Sequence, residues 1–216
     1  MKILAMTDIH GAYETAGRIL GKESGISAVV IGGDLTTNGS AEEARSALRR
    51  FAKFEVPIIV VAGNMDPPEL EETFSSGSIS VNARGTMLDD VGIFGVSGSP
   101  FTPMHTPYEI SEEEISFRAH LGWKDVQAAR IKIFVPHAPP HNTKLDKLRS
   151  GNHVGSTSIR RFVEQFQPQA LVCGHIHESR GIDSLEKTIM VNCGPAASGF
   201  YAVLTVGKEV SVELKG

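Results

Sequence analysis

Cysteine is nearly absent: Cys173 and Cys193 are the only two in 216 residues, and they form no C-x-x-C pair. A disulfide framework is thereby excluded, and a reducing, cytoplasmic setting is expected. Each cysteine is expected to pack as a small apolar residue near a strand end. Aromatic residues make up 6% of the chain, with one Trp and three Tyr, too few for a base-stacking surface along single-stranded nucleic acid. There is no excess of basic charge either. The formal net charge of −4 offers no global basic face for tracking a phosphate backbone, so nucleic acid is a disfavoured partner. Long apolar runs are missing too. The opening run Met1–Met6 is broken at Thr7-Asp8, too short for a signal peptide, and no later stretch approaches the ~18 apolar residues of a membrane span. A soluble, unexported protein is expected.

What remains is an ordinary globular composition, 41% hydrophobic and 21% charged, over a length that suits one domain, residues 1–216, with two sheet layers. Strand-like runs cover Lys2–Asp8, Ala28–Asp34, Pro57–Asn64, Val91–Ser97, Ile131–His137 and Ala170–His175, followed by Thr188–Gly194, Phe200–Gly207 and Val210–Leu214. Several, such as Ala28-Val29-Val30-Ile31, are continuously apolar, as strands covered on both faces are. The last two read as a hairpin turning at Gly207-Lys208. Capping boxes at Ser40/Glu43 and Ser111/Glu114 predict helices over Ala44–Phe51 and Ile115–Arg130, and Ser156 or Ser158 opens a third that runs to about Phe166. The order predicts two packed sheets with helices outside. The loops Ser99–Ile110 and Pro139–Gly155 are long enough to suggest function.

Polar residues gather where strands end. Asp8 and His10 follow the first strand, Asp34 the second, Asn64 the third and His137 a later one, while Gly174-His175-Ile176-His177 follows Ala170–Cys173. In sheets with parallel crossovers these ends share one edge, where ligands collect. One such Asp or His alone more often caps a helix or orders a turn; seven at five strand ends point to a common cleft. Carboxylate, amide oxygen and imidazole suit Mn²⁺ first, with Fe²⁺, Zn²⁺ or Ni²⁺ as chemical alternatives. In a two-metal site the ions lie about 3.5–4 Å apart, and a bridging hydroxide attacks phosphorus. Two such cations beside Asp8 and Asp34 leave the site at about +2, attractive to a phosphate ester despite the acidic chain.

The motifs Asp8-x-His10, Gly33-Asp34, Gly63-Asn64, His137 and Gly174-His175-x-His177 resemble the five motifs of the calcineurin-like metallophosphoesterase family. The resemblance runs from Asp8 to His177. It implies a four-layer αββα sandwich, an α/β (α+β) fold of two mixed sheets flanked by helices. It further implies that Asp8, His10 and His177 hold one metal, that Asn64, His137 and His175 hold the other, and that Asp34 bridges both. The implied activity is dinuclear metal-dependent hydrolysis of phosphate esters. Catalytic weight falls on Asp34 and Asn64.

One position departs from the family pattern. Many members have a His after the motif Asn, and it protonates the leaving group; here Met65 stands there, and a thioether has no proton to give. That departure, and likeness to small bacterial and archaeal phosphodiesterases with Cys at this position, favours diesters. The loop after His137 carries His141 and His153 beside Lys144, Lys147 and Arg149. From it, His141, His153 and Arg149 are candidates for binding substrate, and His153 for supplying the missing proton; exposed loop residues are the alternative. His105 and His120 are expected to be exposed or packed. The expected partner is a small phosphoester, and a homo-oligomer is compatible with the sequence. Two rival readings stand beside the enzyme: a non-catalytic protein-binding scaffold on the same fold, and a nuclease.

Overall fold

Short apolar strands alternate with amphipathic helices along the chain, and the computed structural model describes every residue from Met1 to Gly216. The order opens β1 (Lys2–Met6), α1 (Tyr13–Lys22), β2 (Ala28–Gly32), α2 (Ala41–Phe51), β3 (Ile58–Val61) and α3 (Leu70–Gly77). It continues through β4 (Ile79–Ser80), β5 (Gly85–Leu88), β6 (Val91–Val96), α4 (Glu112–Asp125) and β7 (Ile131–Pro136). Next come α5 (Thr157–Phe166), β8 (Ala170–Cys173), β9 (Gly181–Leu185), β10 (Thr188–Asn192), β11 (Tyr201–Val206) and β12 (Val210–Lys215).

Two six-stranded sheets result, ordered β12-β11-β1-β2-β3-β4 and β5-β6-β7-β8-β10-β9. In the first sheet β1 to β4 are parallel and antiparallel β11 and β12 form one margin; in the second β6-β7-β8-β10 are parallel with antiparallel β5 and β9 at the two margins. The expected sandwich of two mixed sheets flanked by helices is what forms.

The continuous apolar strands are explained by cover on both faces. In β1, Ile3 and Ala5 face the core between the sheets with Val30, Ile59, Ile133 and Val172. Alternate residues Leu4 and Met6 face outward onto a second core with Ile19, Leu48 and Phe74 of α1, α2 and α3. A third core lies under α4 and α5, where Phe94 stacks on Phe134 at 4.7 Å between ring centroids and meets Phe162 at 5.8 Å.

The caps form as half-boxes. Ser40 accepts from the Glu43 N–H and Ser111 from the Glu114 N–H, each at 3.2 Å. The reciprocal carboxylates bond elsewhere, Glu43 to the Tyr13 hydroxyl at 2.7 Å and Glu114 to Arg118 at 2.6 Å. At α5 the choice resolves to Ser156, which accepts from the Ile159 N–H. The α4 helix stops at Asp125 instead of reaching Arg130, because a turn from Val126 to Ala129 redirects the chain into β7.

Phe94→Ala removes the ring at the centre of the third core, away from the strand-end cleft. A loss of about 3–5 kcal/mol is expected, measured by urea denaturation; a loss under about 1 kcal/mol would contradict this account of the packing.

Candidate metal centre

Beyond the last residue of each central strand the chain turns sharply, and the polar residues lie in those turns. Four of them adopt the left-handed region: Asp8 (φ 55), His10 (φ 47), Asp34 (φ 51) and His175 (φ 66). Each such non-glycine residue costs on the order of 1–2 kcal/mol. The turns hold one another in place: Asp8 N–H donates to the Gly33 carbonyl at 3.0 Å, and His10 N–H to the Asp34 carbonyl at 2.9 Å. The His175 N–H donates to the Asp8 carboxylate at 3.1 Å. A Cβ at Gly63 would overlap the Asp34 side chain, and one at Gly174 the Asp8 carboxylate. Glycine at these two positions is therefore a steric requirement for carboxylates placed there.

All seven strand-end side chains come together. His177 Nε2 lies 3.2 Å from Asp8 Oδ1 and 3.4 Å from His10 Nε2. Asp34 Oδ2 lies 3.5 Å from His10 Nε2 and 3.4 Å from His137 Nε2. Asn64 Oδ1 is 3.0 Å from His137 Nε2 and 2.7 Å from His175 Nδ1. Two triads, Asp8-His10-His177 and Asp8-Asp34-His137, have ligand atoms close enough for each to hold a metal ion.

The electrostatics fit a cation. Burial opposes the Asp8 carboxylate, yet the His177 hydrogen bond and the charges of His137 and His177 hold its pKa well below the usual range. Burial would lower the pKa of His137, but Asp34 and Asp8 raise it to about 9. Burial and the His137 charge push His175 down to about 4, leaving its ring neutral. The buried carboxylates thus draw in positive charge, which a proton on His137 supplies and a divalent cation would supply more fully. His137 Nδ1 donates to the Gly32 carbonyl at 2.9 Å, an outer contact that aims Nε2 at the cluster.

Two supporting residues lie outside the seven candidates. Asp66 is buried, with its carboxyl raised to about 6 by burial and by Asp34. It accepts from the N–H groups of Leu35, Thr36 and Gly63 at 3.1, 2.8 and 2.9 Å, binding the turns of Asp34 and Asn64 together. Asn192, also buried, donates to the carbonyls of Leu145, Gly174 and Ile176 and accepts from Gly194 N–H. Asn192 ends β10 as Asn64 follows β3, so the strand-end pattern itself was the available signal.

Of the other candidates, Met65 contributes its backbone: its N–H donates to Asp34 Oδ1 at 2.7 Å. His153 Nδ1 lies 2.6 Å from Asp146 Oδ1, and its ring meets that of His141 at 6.1 Å between centroids. Arg149 is exposed and pairs with Glu178, next to His177, at 3.1 Å. These three make no direct contact with the seven-residue cluster. His105 is exposed, and His120 packs against Phe162 and Phe166. No helix is long and apolar enough to cross a membrane.

Residues 1–179 match the family described as calcineurin-like phosphoesterase. The protein MJ1162 of Methanocaldococcus jannaschii is 34% identical over 206 residues, covering 93% of this chain and 91% of that one. The crystal structure of TT1561 from Thermus thermophilus superposes with a TM-score of 0.74 at 17% identity, over 98% of this chain and 97% of that chain. The phosphopantetheinyl hydrolase of Mycobacterium tuberculosis superposes at 0.58 and 14% identity, over 92% and 90% respectively. These two structures share the fold.

Asn192→Ala leaves the Leu145 carbonyl and the Gly194 N–H without a buried partner and takes a second donor from the Gly174 and Ile176 carbonyls. A loss of about 3 kcal/mol is expected, read by urea denaturation in chelator so that metal affinity does not enter. Faster proteolysis within residues 139–155 should accompany it, since Leu145 loses its tie; unchanged stability and cleavage would refute the assignment of Asn192 as the clasp.

Proposed function

The chain belongs to the calcineurin-like phosphoesterase family, whose hydrolysis of phosphoesters is metal-dependent, and from that premise we propose a two-cation phosphodiesterase formed by residues 1–216 as one domain. The observation that carries the dinuclear reading is the position of Asp34. Its Oδ2 faces His10 on one side at 3.5 Å and His137 on the other at 3.4 Å. Asp8, His10 and His177 would hold one cation, Asn64, His137 and His175 the other, and Asp34 both. Mn²⁺ suits this oxygen and imidazole set, as do Fe²⁺, Zn²⁺ and Ni²⁺. Bound there, two divalent cations would supply Lewis acidity toward a phosphoryl oxygen and a water acidic enough to ionise near neutral pH.

The chain's own groups set the geometry. Gly32 fixes the His137 ring, the Met65 N–H orients the Asp34 carboxylate, and Asp66 fixes the backbone under both. His141, His153 and Arg149, on the loop after His137, are the groups proposed to meet substrate, with Arg149 exchanging Glu178 for a phosphoryl oxygen. With Met65 where a proton donor stands in many relatives, no donor lies beside Asn64, and esters with one charge are favoured.

Asp34→Asn should lower metal content below that of the wild type and cut turnover by at least ~10²-fold, read by metal analysis and a chromogenic diester assay. Two full equivalents with unchanged turnover would remove Asp34 from the bridging position. With Mn²⁺, an aryl diester such as bis-p-nitrophenyl phosphate should be cleaved faster than glycerol phosphate; the reverse order would overturn the diester preference.

A further inference from the structure

The loop between β7 and α5 is long, but it is not loose. Asp146, buried at its centre, accepts from the N–H groups of Asn142, Thr143 and Gly155 at 3.0, 2.9 and 2.9 Å. Lys147 and His153 pair across it as an isolated antiparallel bridge. The loop is also fastened to the turn that carries His175 and His177. Asn192 joins the Leu145 carbonyl to those of Gly174 and Ile176, and the Ser179 hydroxyl donates to the Lys147 carbonyl at 2.5 Å. His153 is thus held on a rigid tongue lying along Gly174–Ser179.

We propose that Asp146 and His153 form a carboxylate–imidazole pair that protonates the leaving group of the ester, His153 as the donor and Asp146 as the positioning residue. The inference rests on the phosphoesterase reading above. Three backbone N–H groups already occupy Asp146, yet its Oδ1 also takes His153 Nδ1 at 2.6 Å. Burial opposes the charge on Asp146, and the His153 bond with those N–H groups restores it, holding the carboxyl below the usual range. A carboxylate on Nδ1 fixes the ring and keeps that nitrogen as the bonded donor, so a proton carried for transfer sits on Nε2. The His153 side chain is 27% exposed, and Nε2 makes no bond within the protein. The pair supplies what Met65 cannot.

In the step, a water oxygen bonds to phosphorus while the bond from phosphorus to the leaving oxygen breaks. The leaving oxygen keeps that electron pair, takes the proton from His153 Nε2 and departs as an alcohol. The water's proton passes to solvent, from which His153 regains its own.

The test uses the metal-loaded full chain and two diesters that differ only in leaving group, one aryl and one alkyl. His153→Ala should lose ~10²–10⁴-fold on the alkyl ester and far less on the aryl ester, with metal content unchanged, and added imidazole should restore part of the alkyl rate. Asp146→Asn should show the same bias toward the alkyl ester. A readout independent of turnover is the NMR signal of the bonded His153 Nδ1 proton, expected in metal-free wild type and lost in Asp146→Asn. Equal losses on both esters, or no loss, would overturn the proton-donor role, and a wild type without that proton signal would overturn the pairing. If Asp146→Asn does not fold, the His153→Ala and imidazole arms decide alone. Wild type inactive on both esters would overturn the phosphoesterase reading and this assignment with it.

Discussion

His137 is the bolt between the two sheets. It follows β7 in one sheet, yet its Nδ1 donates to Gly32 of β2 in the other at 2.9 Å, and its Nε2 lies against Asp34 and Asn64. A buried imidazole placed there needs an acceptor on one nitrogen and negative charge or a cation on the other. Both come from the facing sheet. The strand ends must therefore meet at one height, which the shared core of Ile3, Val30, Ile133 and Val172 enforces from below.

The same constraint explains the local sequence. Carboxylates can sit under the bolt only where the neighbouring backbone lacks a Cβ, hence Gly63 against Asp34 and Gly174 against Asp8. The left-handed turns at Asp8, His10, Asp34 and His175 are unfavourable in isolation. They are held because Asp8 and His10 donate to carbonyls of the Asp34 turn, His175 donates to Asp8, and Asp66 ties down the Asp34 turn from beneath.

Much of this was legible in the chain, because a strand end can be read locally: an apolar run, then a polar residue, then glycine. The two-sheet order and the seven clustered side chains followed from that pattern. Elements without a local signal were missed. Helices α1 and α3 are preceded by Ala12 and Glu69, neither of which makes a side-chain cap. Strand β4 is two residues long, and no residue of β5 is fully buried. The α4 helix was read too long because residues 126–130 have helical composition and no Gly or Pro, while the end is set by entry into β7. Asp66 and Asp146 act through backbone groups and partners along the chain, and no spacing announces them.

The strand ends fix where a phosphate is held, but they say little about what it is attached to, since the same edge serves any ester. Selectivity then falls to groups outside the edge, and in this chain the tongue 139–155 is the structure fastened to it. Asn192 clasps that tongue and the His175–His177 turn with one amide. Moving the tongue apart from the turn breaks the Asn192 bond to Leu145 and the Ser179 bond to Lys147, so the proposed proton donor and the proposed ligands are held to move together. A proton donor helps only if it meets the leaving oxygen at the moment the phosphorus bond breaks. Fixing both ends of that line to one buried side chain is how a long loop can meet this requirement without a lid.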